Sequence, residues 1–295
     1  HLRPRRQRQM CIRDRSFLTL FTSANADIKV VASIKPIHSL ASYLMDGVAK
    51  PDLIVDGYAS PHGFAMKPSH AKMLQDADIV FWVGEDLENF LEKPLDSIAN
   101  EAEKIELLEI KGLVKLKFRE RNIFDDHDDH DDHDDHGHKK KDDHDDHDHA
   151  KKEDGHDDHD DHDGHEGHHH GEFDPHIWLD PINAKVILFE MSKHLIENDP
   201  TNEAAYRANL SKAYKEIDKL TNDVTAELNE STASIVFHDA YQYFEKRFNV
   251  NILGAFTVNT DVLPGAEQLS EIREVIEHDK VCLLYTSDAA DEVLG

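Results

Sequence analysis

The segment from Asp125 to His170 sets the strongest limit on how this chain can fold. It opens as Asp-Asp-His four times over through His136, restarts at Asp142-Asp143-His144 and at Asp157-Asp158-His159, and closes on three successive histidines. It holds 21 Asp and Glu, five Lys and 15 of the chain's 23 histidines, and no Leu, Ile, Val or aromatic residue. A tract of this kind cannot bury the apolar area that offsets the entropy of ordering a backbone. A disordered loop is expected here, inserted between folded parts. Imidazole and carboxylate are the ligand types of Zn²⁺ and its neighbours, and His-rich tracts are a compositional sign of metal binding. A plain acidic tail has no reason to carry His at every third position. Auxiliary weak metal sites are expected at His127, His130, His133, His136, His138, His144, His147, His149, His156, His159, His162, His165, His168, His169 and His170. A loop this polar collects ions without fixed geometry, so a specific site must lie in the folded parts beside it.

The tract carries −16 of the formal net charge of −28, counting His as neutral. The remaining −12 argues against nucleic acid and against an anionic membrane surface as partners. No stretch approaches the ~20 apolar residues of a membrane span. Phe17 to Thr22 is a short apolar run, and Ser23-Ala24-Asn25-Ala26 follows it. Residues 17–26 read as the back half of a secretory signal peptide, cleaved before Asp27, which predicts an exported, periplasmic protein. Met10 to Ser16 and the tail from Cys282 to Glu292 resemble translated adapter sequence. Residues 1–16 and 282–295 are therefore expected to be non-native, and Cys11 and Cys282 give no ground for a disulfide.

Between these ends strands and helices alternate. Asp27 to Ile34 is a β-branched run, Ile37 to Val48 a helix, Asp52 to Asp56 a strand, and Pro68 to Ala77 a helix. Ile79 to Val83 is continuously apolar, as in a strand covered on both faces. Glu85 to Ala99 reads as a helix kinked or divided at Pro94, and Ile105 to Leu108 as a further strand. This βα alternation predicts a parallel sheet in a first lobe over 27–124, completed by 171–200 after the tract. From Asn202 to Leu228 there is no Gly or Pro, and Tyr206, Leu210, Tyr214, Ile217 and Leu220 form an apolar stripe. That is one long linking helix within 201–230, capped by Thr201 and long enough to span two lobes. Ser234 to Phe237 (strand), Ala240 to Arg247 (helix), Asn251 to Gly254 (extended) and Gly265 to His278 (helix) begin a second βα lobe over 231–281. The fold class is α/β, two βα lobes joined by a long helix, with the second lobe expected to be truncated.

Ligands of open α/β sheets bind beyond the C-terminal ends of the strands. His62 follows the strand at 52–56, His238 follows the strand at 234–237, and His176 stands in a Pro-flanked segment just after the tract. Each alone is weak, since most loop histidines are solvated or hydrogen-bonded. Three neutral imidazoles beside a metal-attracting tract suit Zn²⁺, with water or a carboxylate in fourth position. Among the others, His38 is expected at a helix start in preference to a place behind the metal ligands, His70, His194 and His278 on surfaces, and Trp82 and Trp178 in packing. Asp239 is expected either to orient His238 or to cap a helix.

Gly57-Tyr58-Ala59-Ser60-Pro61-His62, with Lys67-Pro68-Ser69 after it, resembles the first metal motif of the bacterial metal-binding lipoproteins and periplasmic proteins of ABC importers. Asp174 to Pro181, Phe237 to Glu245, Phe256 to Asn259 and Pro264-Gly265-Ala266 are similar to further hallmarks of that family, closest to its zinc-uptake members. The likeness covers about residues 27–281. It implies two βα lobes with zinc in the cleft between them, held by His62, His176 and His238, and delivery to the membrane permease of a zinc importer. A monomer that does not itself span the membrane is expected. Manganese and iron relatives usually have a carboxylate where His238 stands, so the resemblance implies zinc. Some zinc members carry Glu directly before the first ligand; Pro61 stands here instead. Two other functions compete at this stage. One is a zinc-dependent hydrolase using the same three histidines, although no HExxH-type Glu adjoins them. The other is a metal-buffering or adhesive surface protein in which the tract is the whole function.

Overall fold

The computed structural model describes residues 27–57, 59–119, 121–124, 171–228, 233–257 and 264–278, with residue 281 and the backbone of 283–284. The signal-like segment, the Asp/His tract and the adapter-like ends other than 283–284 lie outside the described residues.

The first lobe runs β1 (Val30–Ala32), α1 (Lys35–Leu44), β2 (Asp52–Leu53), α2 (Pro68–Asp76), β3 (Ile79–Trp82), α3 (Glu85–Ser97) and β4 (Glu103–Glu106). Its four strands are all parallel in the order β2-β1-β3-β4, with Val31 opposite Asp52 on one side and Val80 on the other. Every residue of β1 and β3 is buried, as expected for central strands covered on both faces. Proline stands in the first turn of both α1 and α2, where its missing N–H costs no helical hydrogen bond. Two expectations need correction. Helix α3 continues through Pro94, and its non-helical residue is Glu88 (φ −120°, ψ 49°). The cause is visible: the buried Glu88 carboxylate turns back to accept the N–H groups of Val83 (2.7 Å) and Gly84 (3.1 Å). The fourth strand begins at Glu103 and has ended by Leu107, which starts a 3₁₀ turn.

After the tract the chain forms α4 (Pro181–Asn198) and α5 (Glu203–Glu227). It then runs β5 (Ser234–His238), α6 (Gln242–Phe248), β6 (Ile252–Thr257), α7 (Ala266–His278) and β7 (Leu283–Leu284). The second sheet is also parallel, in the order β6-β5-β7. At 25 residues, α5 is about 37 Å long at 1.5 Å per residue. It packs on α1 and α4, burying Tyr206 and Ala213, with Leu210, Tyr214 and Ile217 partly covered. Its stripe stops short of Leu220, which is exposed, and Thr201 sits inside a 3₁₀ turn instead of capping the helix. Here Asp199 takes the polar role, accepting from Asn202 Nδ2 (2.7 Å) and Tyr206 Oη (2.9 Å).

The tract is rooted in paired backbone. Lys117 bridges antiparallel to Phe173, with Phe118 N–H donating to Glu172 O and Asp174 N–H to Leu116 O. Beyond that bridge Ile123 pairs antiparallel with Gly254 of β6. The chain thus crosses from the first lobe to the edge of the second before the tract begins.

Candidate metal centre

Each of the three histidines is delivered by a different local device. Gly57 has φ +70°, the left-handed conformation that costs glycine least, and turns the chain out of β2 toward the loop that carries His62. Ser60 Oγ accepts the His62 N–H at 3.3 Å. His176 stands between Pro175 and a 3₁₀ turn, Ile177–Leu179, and the Asp174 carboxylate accepts its backbone N–H at 2.9 Å. His238 is the last residue of β5, where the parallel sheet opens at its C-terminal edge.

These devices bring the rings together. Ring centroids lie 5.7 Å apart for His62–His176, 5.7 Å for His62–His238 and 5.3 Å for His176–His238. One ring nitrogen from each residue falls within 4.8 Å of the other two, and Nε2 of His238 is 3.4 Å from Nε2 of His176. His176 and His238 are buried and His62 is half-buried. No carboxylate of the described residues joins the group. Three convergent imidazoles in a buried setting fit Zn²⁺ by donor type, and a tetrahedral ion keeps one position for a ligand from elsewhere.

The electrostatics around the trio come from residues that sequence reasoning passed over or read differently. Asp174 Oδ1 lies 2.7 Å from Nδ1 of His176. With the carboxylate ionised, Nδ1 must carry the hydrogen, which leaves the Nε2 lone pair toward the other rings. Burial pushes the Asp174 carboxyl up to about 7, against the pull of the His176 N–H, Arg119 and His238. Burial likewise raises Asp239 to about 7, opposed chiefly by Arg119. Asp239 does not cap α6, whose N-cap is Tyr241; it accepts from Arg119 Nη1 at 3.2 Å. Tyr243 reaches across from α6, accepting the Leu116 N–H (3.1 Å) and donating to Asp174 O (2.9 Å). The Asp two places before His176 could have suggested its role, but no local pattern flags Arg119.

Other histidines settle elsewhere. His38 lies within α1 with Nε2 3.0 Å from Pro51 O, away from the trio. His70 is buried, contrary to expectation: its Nδ1 accepts the Lys67 N–H and its ring stacks on Phe64. His194 is half-buried between Glu103 (2.8 Å) and Glu190 (3.2 Å), also less exposed than expected. Only His278 is exposed as predicted. Trp82 is buried, and Trp178 lies edge-on to His176 with centroids 5.4 Å apart.

A sequence profile described as ZnuA, zinc-uptake complex component A, periplasmic, matches residues 30–294. The chain belongs to the ZnuA family. The high-affinity zinc uptake system protein ZnuA of Brucella abortus (strain 2308) is 46% identical over 255 residues, covering 85% of this chain and 72% of the relative. Its namesake in Haemophilus influenzae (strain Rd) is 40% identical over 269 residues, covering 89% and 78%. A crystal structure of ZnuA superposes with a TM-score of 0.65 at 18% identity, covering 90% of this chain and 86% of that one. At that identity the likeness shows the fold, and the ZnuA fold is the two-lobed α/β architecture described above. The matched span extends past residue 281 into the segment set aside on sequence grounds, and Leu283–Leu284 lies in the second sheet.

Proposed function

We propose that this chain is an extracytoplasmic receptor that binds Zn²⁺ at His62, His176 and His238 and hands it to the membrane permease of an ABC importer, working as a periplasmic monomer. The observation that carries this reading is the convergence of three imidazoles, two from the first lobe and one from the second. Relatives named for high-affinity zinc uptake support the cargo and the transport role. Among the described residues no helix is long and apolar enough to cross a membrane, which fits a separate receptor and permease. A receptor also fits better than a hydrolase, because the nearest carboxylates are engaged: Asp174 with His176 and Asp239 with Arg119. Metal-assisted hydrolysis would need a base facing the ion.

Within this reading the tract from Asp125 to His170 adds several weak sites and raises the local ion concentration, while the cleft supplies one tight site. The test is a competition titration against a zinc chelator. Deleting residues 125–170 while keeping Phe173 to Pro181 should remove the weak sites and leave the tight one. His62→Ala or His176→Ala should abolish the tight site and leave weak binding. Loss of tight binding on deletion would overturn the assignment to the cleft. Because imidazoles must shed protons to bind zinc, uptake should also weaken on acidification, and equal uptake at pH 5 and 7.5 would contradict His ligation.

A further inference from the structure

Residues 121–124 form a strap along the second lobe, and Arg119 adds side-chain contacts to the same lobe. Phe124 N–H donates to Leu253 O (2.9 Å) and Ala255 N–H to Asn122 O (2.8 Å), so the segment adds an antiparallel edge to β6 in an otherwise parallel sheet. Asn122 is buried and uses its whole amide. Its Nδ2 donates to Ala255 O (3.1 Å) and Phe256 O (2.9 Å), and its Oδ1 accepts from Gln268 Nε2 of α7 (3.1 Å). The strap lies so close that a Cβ at Gly254 would stand 2.5 Å from Asn122 O, so a side chain there forces it away. Arg119 completes the lock: Nη1 reaches Asp239 Oδ1 (3.2 Å), Nη2 reaches Glu245 Oε2 (2.6 Å), and the guanidinium lies 3.9 Å from the Phe124 ring centroid.

Asp239 directly follows His238, and its own N–H is held by Thr257 O at 3.1 Å. We infer that Arg119 is a positioning residue for the zinc site: through Asp239 it fixes the segment that aims His238 at His62 and His176. This deepens the three-histidine reading and rests on it. A planar guanidinium can join Asp239 and Glu245 and still stack on Phe124, whereas a lysine ammonium cannot do all three. Outer-shell partners of metal ligands typically matter 10–100-fold in affinity.

A second ion pair between the lobes supplies the control. Arg247 binds Asp180 through Nε (2.8 Å) and Nη2 (2.7 Å), and neither residue adjoins one of the three histidines. The full chain would be given one equivalent of Co²⁺, buffered by a chelator so that only the tightest site fills, and zinc affinity measured by competition. Arg119→Ala should lose about 10–100-fold in zinc affinity and alter the Co²⁺ ligand-field spectrum. Arg119→Lys should lose less, and it stands in if the alanine variant does not fold. Arg247→Ala should lose less zinc affinity than Arg119→Ala and leave the spectrum unchanged. The inference is overturned if both Arg119 variants bind as the parent does. It is overturned equally if Arg119→Ala and Arg247→Ala lose the same affinity with unchanged spectra, since Arg119 would then act only by docking the lobes. His62→Ala separates the two readings. If the Co²⁺ spectrum survives there, the three-histidine site fails and this inference falls with it; if it is lost, parent-like Arg119 variants strike the role of Arg119 alone.

Discussion

The first lobe stands on an apolar core that runs from Ile28 through β1 and β3 to Leu195 of α4 and Tyr206 of α5. The second lobe, among the described residues, has a cluster of only Val236, Ile252 and Ala255, with Phe124, Tyr241 and Val250 against it. One of those six, Phe124, comes from the strap, and Tyr243 of α6 is buried in the first lobe's core instead of joining this cluster. Among the described residues, the first lobe therefore has the far larger apolar cluster, and the second relies more on what it docks onto. Polar contacts carry much of that docking, through Arg119, Arg247, Asn122 and the Tyr243 hydroxyl. An ion bound by His62 and His176 on one side and His238 on the other would act as a cross-link where apolar adhesion is thin.

The hardest blow to this contrast is removal of the second lobe's donor. His238→Ala should lower zinc affinity by about 10²–10⁴-fold, since zinc–protein binding energies of roughly 10–16 kcal/mol are shared among three or four ligands. A loss below tenfold in chelator competition would show that the ion does not join the lobes. Core truncations come next. Phe81→Ala in the first lobe should cost about 3–5 kcal/mol in metal-free denaturant unfolding. Val236→Ala should cost only about 1.5 kcal/mol, from roughly 0.8 kcal/mol per buried methylene-sized group. Equal losses would erase the asymmetry.

A smaller effect tests the polar seam beside the site. Asp174→Asn should weaken zinc about 10–100-fold by releasing the His176 ring. The same group gives a pH signature. Burial raises its carboxyl from 3.8 to about 7, so between those values the folded state binds more protons than the unfolded chain. The stability it contributes is full below the lower value and lost as pH rises through about 7. The metal-free protein should thus melt lower at pH 7.5 than at pH 5, and the slope should flatten in Asp174→Asn. An identical slope in the variant would remove Asp174 as its source. Smallest of all, Tyr243→Phe should cost about 1 kcal/mol of stability by deleting its hydrogen bonds to Leu116 and Asp174.

The parts of this molecule that were legible in the sequence are those fixed by local pattern. The apolar run at Ile79 to Val83 announced a covered parallel strand, and the Gly- and Pro-free stretch after Asn202 announced the long helix. His62, His176 and His238 stood out because each follows a strand end or a proline-bounded turn. What stayed hidden depends on residues far apart in sequence. Glu88 breaks its helix because its carboxylate serves the turn before it, which no propensity encodes. Leu220 fitted the helical stripe yet is exposed, because α1 and α4 cover only the earlier part of α5. Arg119 gained its meaning from carboxylates 120 and 126 positions away.

That reach has a consequence for the order of assembly. Tyr243 closes the first lobe's core and meets Leu116 across 127 residues of chain. At roughly 5–20 residues per second, that stretch takes on the order of 6–25 s to synthesise. Non-local contacts of this kind also slow folding, because loop closure must precede their reward. A nascent first lobe therefore lacks this one core side chain until α6 has been made. A chain whose first lobe is completed only late stays threadable for longer through a translocation channel, which would suit the exported receptor proposed above.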